Sequence, residues 1–447
     1  MKLYQHQLDG AAFIVDKRRC ALFFEMGCGK SATTISAIDY LHAAGEVRRV
    51  LVVCPLAIID AAWRKDVKTF APHLPIASYH DRPSDRFDHA TIGIINFESF
   101  RIRCKHIKPP DMLVIDESSR MKDPQSQISK ALREFSQRCK YVVLLSGTPA
   151  PNDALEYWAQ LYAINPKVLG ESYYAFRFRY GKAQDLYAAG GRKVQKWASD
   201  PDKVPAMLDR IGKVAMTLRK VDCLDLPDKV DEVVDVTLSA EERRAYETMR
   251  DDLVLRFSDS VTTVDNVLAE IMKLRQLANG WCYDENGKVQ YTGRSKITML
   301  LDVLQDIGQQ SIIWVEYRED AHRLQHILGD RATCLIGGLS DTARHDAIDG
   351  FISGRHQYLI AHPQAAGHGL TFVNAHYAVF YGLGYSYEYH QQARDRIHRI
   401  GQNKKCTYIY LLSRDTIEHE ILNVVRGKAD AHKVAMEYLR EHAPHAV

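Results

Sequence analysis

The chain has 447 residues, 46% hydrophobic and 26% charged, with a net charge of +3. That length suits two or three domains, each with its own core; no apolar run approaches the roughly 18 residues that span a bilayer, and the small net charge announces no polyanion partner. Nine scattered cysteines without a C-x-x-C pair exclude a zinc clamp or dithiol centre of that spacing and read as reduced thiols.

In chain order, the opening MKLYQHQLDG lacks the apolar core of a signal peptide, so the expected location is the cytoplasm. The run ALFF is a buried-strand candidate, and EMGCGKS follows it. The usual phosphate loop, G-x-x-x-x-G-K-[ST], asks for glycine where Phe24 stands. Even so, Gly27 and Gly29 supply a tight turn, the loop backbone including Cys28 supplies N–H groups for phosphate oxygens, and Lys30 and Ser31 supply charge and a Mg²⁺ ligand. Such a turn is also the ordinary connection between a strand and a helix. RRVLVVCP, TIGIINF, DMLVIDE and YVVLLSGTP are further strand candidates, with helical spacing in LAIIDAAWRKDVKTF and QSQISKALREFSQ between them. QSIIWVEYR, HQYLIAHP, HYAVFYG and CTYIYLLS repeat the pattern later. The alternation predicts an α/β fold of two lobes, each a parallel sheet with helices on both faces. We place them at residues 1–165 and 295–447, the latter with a C-terminal helix, and read 166–294 as mainly helical insertion and linker.

Chemistry in open parallel sheets gathers at the carboxyl ends of strands. After DMLVI stand Asp116 and Glu117; beside a phosphate loop, the first suits the Mg²⁺ that bridges phosphates and the second the attacking water, although a strand-end acidic pair is also met as solvated loop carboxylates. Ser146-Gly147-Thr148-Pro149 follows YVVLL, and AAGHGLTF, with Gly367 and Gly369, follows YLIAHP. QQARDRIHRIGQ places Arg394, Arg396 and Arg399 in one stretch, and on a helix Arg396 and Arg399 share a face, either as a solvated edge or as two guanidinium groups aimed at one polyphosphate. Between Arg177 and Lys220, eleven Lys or Arg stand against four Asp or Glu, a local excess of seven positive charges.

Taken in order, EMGCGKS, DESS, LSGTP, AGHGL and QARDRIHRIGQ resemble the motif series of superfamily-two helicase-like ATPases of the Swi/Snf (sucrose non-fermenting) family, in a minimal bacterial or phage-type form. That family does without the first loop glycine. The resemblance implies two RecA-like lobes, with ATP and Mg²⁺ held by Gln7 (on the adenine), Gly27, Cys28, Gly29, Lys30, Ser31, Asp116 and Glu117 from the first, and by Gly369, Arg396 and Arg399 from the second. Ser31 and Asp116 would be the metal ligands. It implies coupling roles for Ser146, Thr148 and Gln392. DNA contacts are implied at Pro55, Trp63 and Gly367, with Arg177, Arg179, Arg192 and Lys193 added from the basic insertion. Departures are Ser119 where many relatives have histidine, A-G-H-G-L-T-F for the common G-G-x-G-L-N-L, and Arg219-Lys220 for a tandem arginine. The implied activity is ATP hydrolysis coupled to movement of a monomer along double-stranded DNA without strand separation. A strand-separating DNA or RNA helicase and a non-hydrolysing nucleic-acid scaffold are the competing readings. No nuclease or chromatin-reading motif is visible, which leaves room for a separate nuclease or a replication or recombination protein as partner.

Overall fold

The computed structural model describes residues 3–81, 86–187, 193–258, 264–284, 286–366 and 370–442. Its strands, in chain order, are β1 (Arg19–Phe24), β2 (Val50–Cys54), β3 (Ile76–Ser78), β4 (Ile92–Asn96), β5 (Met112–Asp116), β6 (Tyr141–Leu145), β7 (Gly181–Tyr187), β8 (Lys193–Ser199), β9 (Ala215–Leu218), β10 (Lys229–Val236), β11 (Trp281–Tyr283), β12 (Val289–Tyr291), β13 (Ser311–Trp314), β14 (Ala332–Leu335), β15 (Tyr358–Ala361), β16 (Tyr377–Phe380) and β17 (Cys406–Ser413).

Two sheets organise the chain. The first has seven strands in the order β3-β4-β2-β5-β6-β1-β9 and the second six in the order β10-β17-β16-β13-β15-β14. Every pairing in both is parallel. A parallel sheet needs crossovers that cover both faces, and the side-chain period of two then sorts each strand between two cores. In β1, Ala21 and Phe23 join the core on one face while Cys20, Leu22 and Phe24 join the other. In β13, Ile312 and Trp314 face one way and Ile313 the other. These are the two lobes of helix-covered parallel sheet expected from the alternation, and the RecA-like pair that the resemblance implies.

The stretch 166–294 is not a clean helical insertion. It sends β9 to the edge of the first sheet beside β1 (Ala21 opposite Ala215) and β10 to the edge of the second beside β17 (Lys229 opposite Cys406). It also carries an antiparallel hairpin, β7–β8, with Gly181 opposite Ser199, and a small β11–β12 pair. It also holds two long helices, Ala240–Ser258 and Val264–Ala278, of 19 and 15 residues. None of the described helices is long and apolar enough to cross a membrane.

Candidate functional site: a phosphate loop and an arginine pair at the lobe junction

The phosphate loop turns between β1 and the helix Lys30–Ala43. Gly27 and Gly29 both have positive φ, 89° and 81°, which glycine alone adopts without strain. Room matters too, since a Cβ at Gly29 would lie 2.0 Å from Nε2 of Gln7. Gln7, buried on the helix Gln5–Lys17, is held by the Tyr4 N–H donating to its Oε1 at 3.0 Å and lies against this loop. Lys30 donates from Nζ to the Phe24 carbonyl at 2.9 Å. The turn Ser146–Thr148 lies alongside: a Cβ at Gly147 would be 3.3 Å from the Met26 nitrogen and 3.5 Å from Lys30 Nζ. Ser146 Oγ accepts from the Thr148 N–H at 3.1 Å, and Thr148 Oγ1 is buried with no hydrogen-bond partner among the described residues.

At the end of β5, Asp116 accepts from Trp63 Nε1 at 2.9 Å and from the Glu117 N–H at 3.0 Å. Glu117 sits in the left-handed region (φ 59°, ψ 56°), a conformation that costs a non-glycine residue on the order of 1–3 kcal/mol and clusters at functional turns. The fold overrules the local preference. Ser118 Oγ donates to Gln160 Oε1 at 2.7 Å, and Gln160 Nε2 donates to the Pro149 carbonyl at 2.6 Å, tying the acidic turn to the Ser146–Pro149 turn.

Pro55 and Trp63, for which the resemblance implies DNA contacts, lie inside the first lobe. Both are buried, Trp63 completely, and the exposed large side chain at that strand end is Leu56. Trp63 belongs to a π-helical turn, Ile59–Arg64, whose wider winding delivers the indole N–H onto Asp116. The helix that follows, Lys65–Phe70, brings in a carboxylate that the motif reading passed over. Burial raises the Asp66 carboxyl above its ordinary range, against the opposing pull of Arg399, Lys65 and a hydrogen bond with the Ser31 side chain.

From the second lobe, Arg399 reaches the loop: a Cβ at Gly27 would lie 3.3 Å from Arg399 Cγ. Arg396 donates from Nη1 to the Leu370 carbonyl at 3.0 Å, while its Nη2 is buried with no hydrogen-bond partner among the described residues. Burial, then the neighbouring Arg399, pushes the Arg396 guanidinium down to about 10, against the pull of Asp395 and Glu117. It stays charged at neutral pH. Arg394 is different: it pairs with Asp231 at 2.7 Å and lies 4.1 Å over the Tyr408 ring, inside the second lobe.

Further links cross between the lobes. Ser119 Oγ donates to Glu388 Oε1 at 3.2 Å, on the helix Tyr387–Arg394, where Gln392 Nε2 also reaches Glu388 at 3.4 Å. Lys220 Nζ donates to Asp395 Oδ1 at 2.6 Å and to the His398 carbonyl at 3.0 Å, with both charged side chains about one-twentieth exposed (5% and 6%). The Lys220 N–H in turn donates to Glu25 Oε2, just ahead of the loop, at 2.9 Å. Sequence reading noted Lys220 only as a departure from a tandem arginine and passed over Glu388 and Asp395. Lys220 is the partner that a lone charge in an insertion could not announce.

In the insertion, Arg177 lies 4.5 Å over the Trp197 ring and 5.3 Å from that of Tyr174. Arg179 is exposed, and of the YYAFRFRY aromatics Phe176 and Tyr180 are buried while Tyr174 and Phe178 are exposed. Gly367, Gly369 and Arg192 lie outside the described residues, as does the Lys193 side chain.

With this geometry in place, comparison decides the family. The chain matches the SNF2-related domain over residues 5–281 and the helicase conserved C-terminal domain over residues 295–401. It belongs to the SNF2-related family. It is thereby an ATPase of helicase superfamily two. Among its relatives are putative protein p41 of Acyrthosiphon pisum secondary endosymbiont phage 1, 24% identical over 98% of both chains, and the chromodomain-helicase-DNA-binding protein 1-like of Danio rerio, 28% identical over 94% of this chain and 42% of that one. A third is the putative ATP-dependent helicase/translocase YwqA of Bacillus subtilis, 24% identical over 90% of this chain and 45% of that one. Against the last two the chain spans less than half of the relative's length. A solved relative is the Sulfolobus solfataricus SWI2/SNF2 ATPase core in complex with dsDNA, 23% identical, covering 99% of this chain and 97% of that one with a TM-score of 0.46.

Proposed function

We propose that this SNF2-family ATPase is a motor that moves along double-stranded DNA, remodelling DNA or protein–DNA complexes without separating the strands. The observation that carries the reading is the division of one site between two lobes: the phosphate loop and acidic turn on one, the arginine pair on the other, meeting where Gly27 faces Arg399. A site so divided is complete only when the lobes are closed, and its hydrolysis is therefore tied to their relative motion.

Lys30 and the loop N–H groups bind the phosphates, and Gln7 takes the adenine side. Glu117 orients the attacking water and accepts its proton. Arg396 and Arg399 hold charge that develops on the transferred phosphoryl group, for which the orphaned Arg396 Nη2 is a ready donor. The hydroxyl of Ser31 and the carboxylate of Asp116 are hard oxygen donors that fit Mg²⁺. That ion, when bound, neutralises phosphate charge and polarises the transferred group. Hydrolysis removes what the arginines grip, and the Ser119–Glu388 and Lys220–Asp395 links carry the change between lobes.

Duplex tracking is supported by the seven excess positive charges between Arg177 and Lys220, by the exposed Arg179 there, and by the word translocase in the name of the Bacillus relative. The test compares ATP turnover with duplex DNA, single-stranded DNA and RNA, then triplex displacement with fork unwinding at equal enzyme and ATP. Duplex DNA should stimulate most, stimulation should fall steeply with salt, and the third strand should leave while a fork stays annealed. Efficient unwinding without triplex displacement would replace this reading with a strand-separating helicase.

A further inference from the structure

The phosphate loop contains a cysteine, and it is not alone. Cys28, fully buried between Gly27 and Gly29, has its sulfur 3.7 Å from that of Cys223, which is partly exposed at the end of the short helix Lys220–Cys223. Both are free thiols. A disulfide has sulfurs about 2.05 Å apart, so the pair stands about 1.7 Å short of a bond, with one partner open to solvent. The two thiols are not equivalent. Their mutual hydrogen bond lowers Cys223 from the ordinary thiol range, against its own burial, while the same bond and burial push Cys28 up. The sulfur that solvent reaches is thus the more acidic of the two.

We propose that Cys28 and Cys223 are a modification site, closed to a disulfide by hydrogen peroxide and reopened by a dithiol, which disables the phosphate loop. The Cys223 thiolate attacks peroxide; a sulfur–oxygen bond forms as the oxygen–oxygen bond breaks, leaving a sulfenic acid and hydroxide, which is protonated to water. The Cys28 thiol then attacks the sulfenic sulfur, the sulfur–sulfur bond forms, and the oxygen departs as a second water carrying the Cys28 proton. Two thiols lose two electrons and peroxide gains them.

The consequence follows from where the bridge lies. Cys28 cannot move toward Cys223 without drawing Gly27 and Gly29 with it, and these are the residues whose backbone must fit around phosphate. The other end is already fixed, because Lys220 of the same short helix donates its N–H to Glu25 and its Nζ to Asp395 of the second lobe. The bridge staples the loop to the lobe junction.

The proposal rests on reading EMGCGKS as a nucleotide loop, and the assay separates the two. Full-length protein is treated with hydrogen peroxide, then its disulfides are mapped by mass spectrometry while ATP turnover and binding of a fluorescent ATP analogue are followed. A Cys28–Cys223 peptide lacking two hydrogens should appear as turnover falls by about 10²-fold, the scale for displacing a catalytic group by about 1 Å, and dithiothreitol should reverse both. Cys223→Ser should keep untreated turnover and lose the sensitivity. Both thiols staying reduced under peroxide, a bridge that forms with turnover unchanged, or equal sensitivity in Cys223→Ser would each overturn the proposal. Reduced protein that binds no nucleotide would overturn the loop reading itself, and the proposed effect with it.

Discussion

Trp63→Phe separates what the structure says about the indole from what the motif resemblance implies. The substitution keeps an aromatic ring in a fully buried position but deletes the N–H that donates to Asp116 at 2.9 Å. Asp116 is itself only 5% exposed, so no bulk water replaces the lost donor. A hydrogen bond to a charged group contributes about 1.5–3 kcal/mol, and at about 1.4 kcal/mol per factor of ten that is roughly 10–100-fold. The same range is typical when a residue that orients a metal ligand is removed. The Mg²⁺ concentration that gives half-maximal ATP turnover should therefore rise by about 10–100-fold, with DNA affinity little changed. The assay is turnover across a Mg²⁺ titration, with duplex-DNA binding and thermal unfolding measured on the same preparation. A folded variant with an unaltered Mg²⁺ dependence would refute the orienting role. Lost DNA affinity at unaltered Mg²⁺ dependence would restore the surface role that the motif implies.

Glu117→Gln should retain ATP binding and lose turnover, whereas Lys30→Ala should weaken both, read by nucleotide binding and single-turnover hydrolysis. Arg396→Ala or Arg399→Ala should lower kcat by about 10³-fold, the lower end for an arginine supplied from outside the nucleotide-binding lobe; near-normal kcat in either would remove that arginine from the site. Lys296 and Glu418, 1% and 4% exposed, form a buried pair in the second lobe, so Lys296→Met should destabilise that lobe by roughly 3–5 kcal/mol in a denaturant titration while Lys296→Met with Glu418→Leu recovers most of it.

The parts of this protein legible in sequence are those whose cause is local. Strands buried on both faces, such as β2 with VLVVC and β6 with YVVLL, announce themselves as continuous apolar runs. β9 has four residues, AMTL, and β10 reads KVDEVVDV with most of it exposed at a sheet edge, so neither carries such a run and neither marks itself as a strand within 166–294. The same limit governs the site. EMGCGKS and DESS are contiguous and need no partner to be noticed. Lys220 and Asp395 are 175 residues apart and Ser119 and Glu388 are 269 apart, so their meeting belongs to the tertiary fold. Trp63 shows a third limit: a motif fixes residue type, while a π-helical turn decides which way the side chain points.

The Ser119 and Lys220 links end on one stretch of the second lobe, Glu388 at its start and Asp395 at its end, with Arg396 and Arg399 just beyond. The helix between, Tyr387–Arg394, has eight residues and so runs about 12 Å. Its first turn is fixed by Ser386, whose hydroxyl accepts from the Tyr389 N–H at 3.3 Å. A rigid element of that length moves as a lever, and the two ends are held unequally. At the Ser119 end a hydroxyl donates to the Glu388 carboxylate, 12% exposed, with Lys122 Nζ 3.8 Å from the same carboxylate; a hydrogen bond to a charged group contributes about 1.5–3 kcal/mol, and water can take over these partners once they part. At the Lys220 end an ammonium and a carboxylate, both nearly buried, must be rehydrated together, and Lys220 also holds the His398 carbonyl. The Lys220 end, with two nearly buried charges to rehydrate, is thus the costlier of the two to part. A motion that parts the weaker end first would turn the helix about Lys220–Asp395. Such a motion would leave Arg399, beside Gly27, near the phosphate loop while the acidic turn loses its contact. In this chain the first-lobe partner in that contact is the hydroxyl of Ser119, a donor that does not titrate, so the bond to the Glu388 carboxylate does not depend on the protonation of the first-lobe side chain.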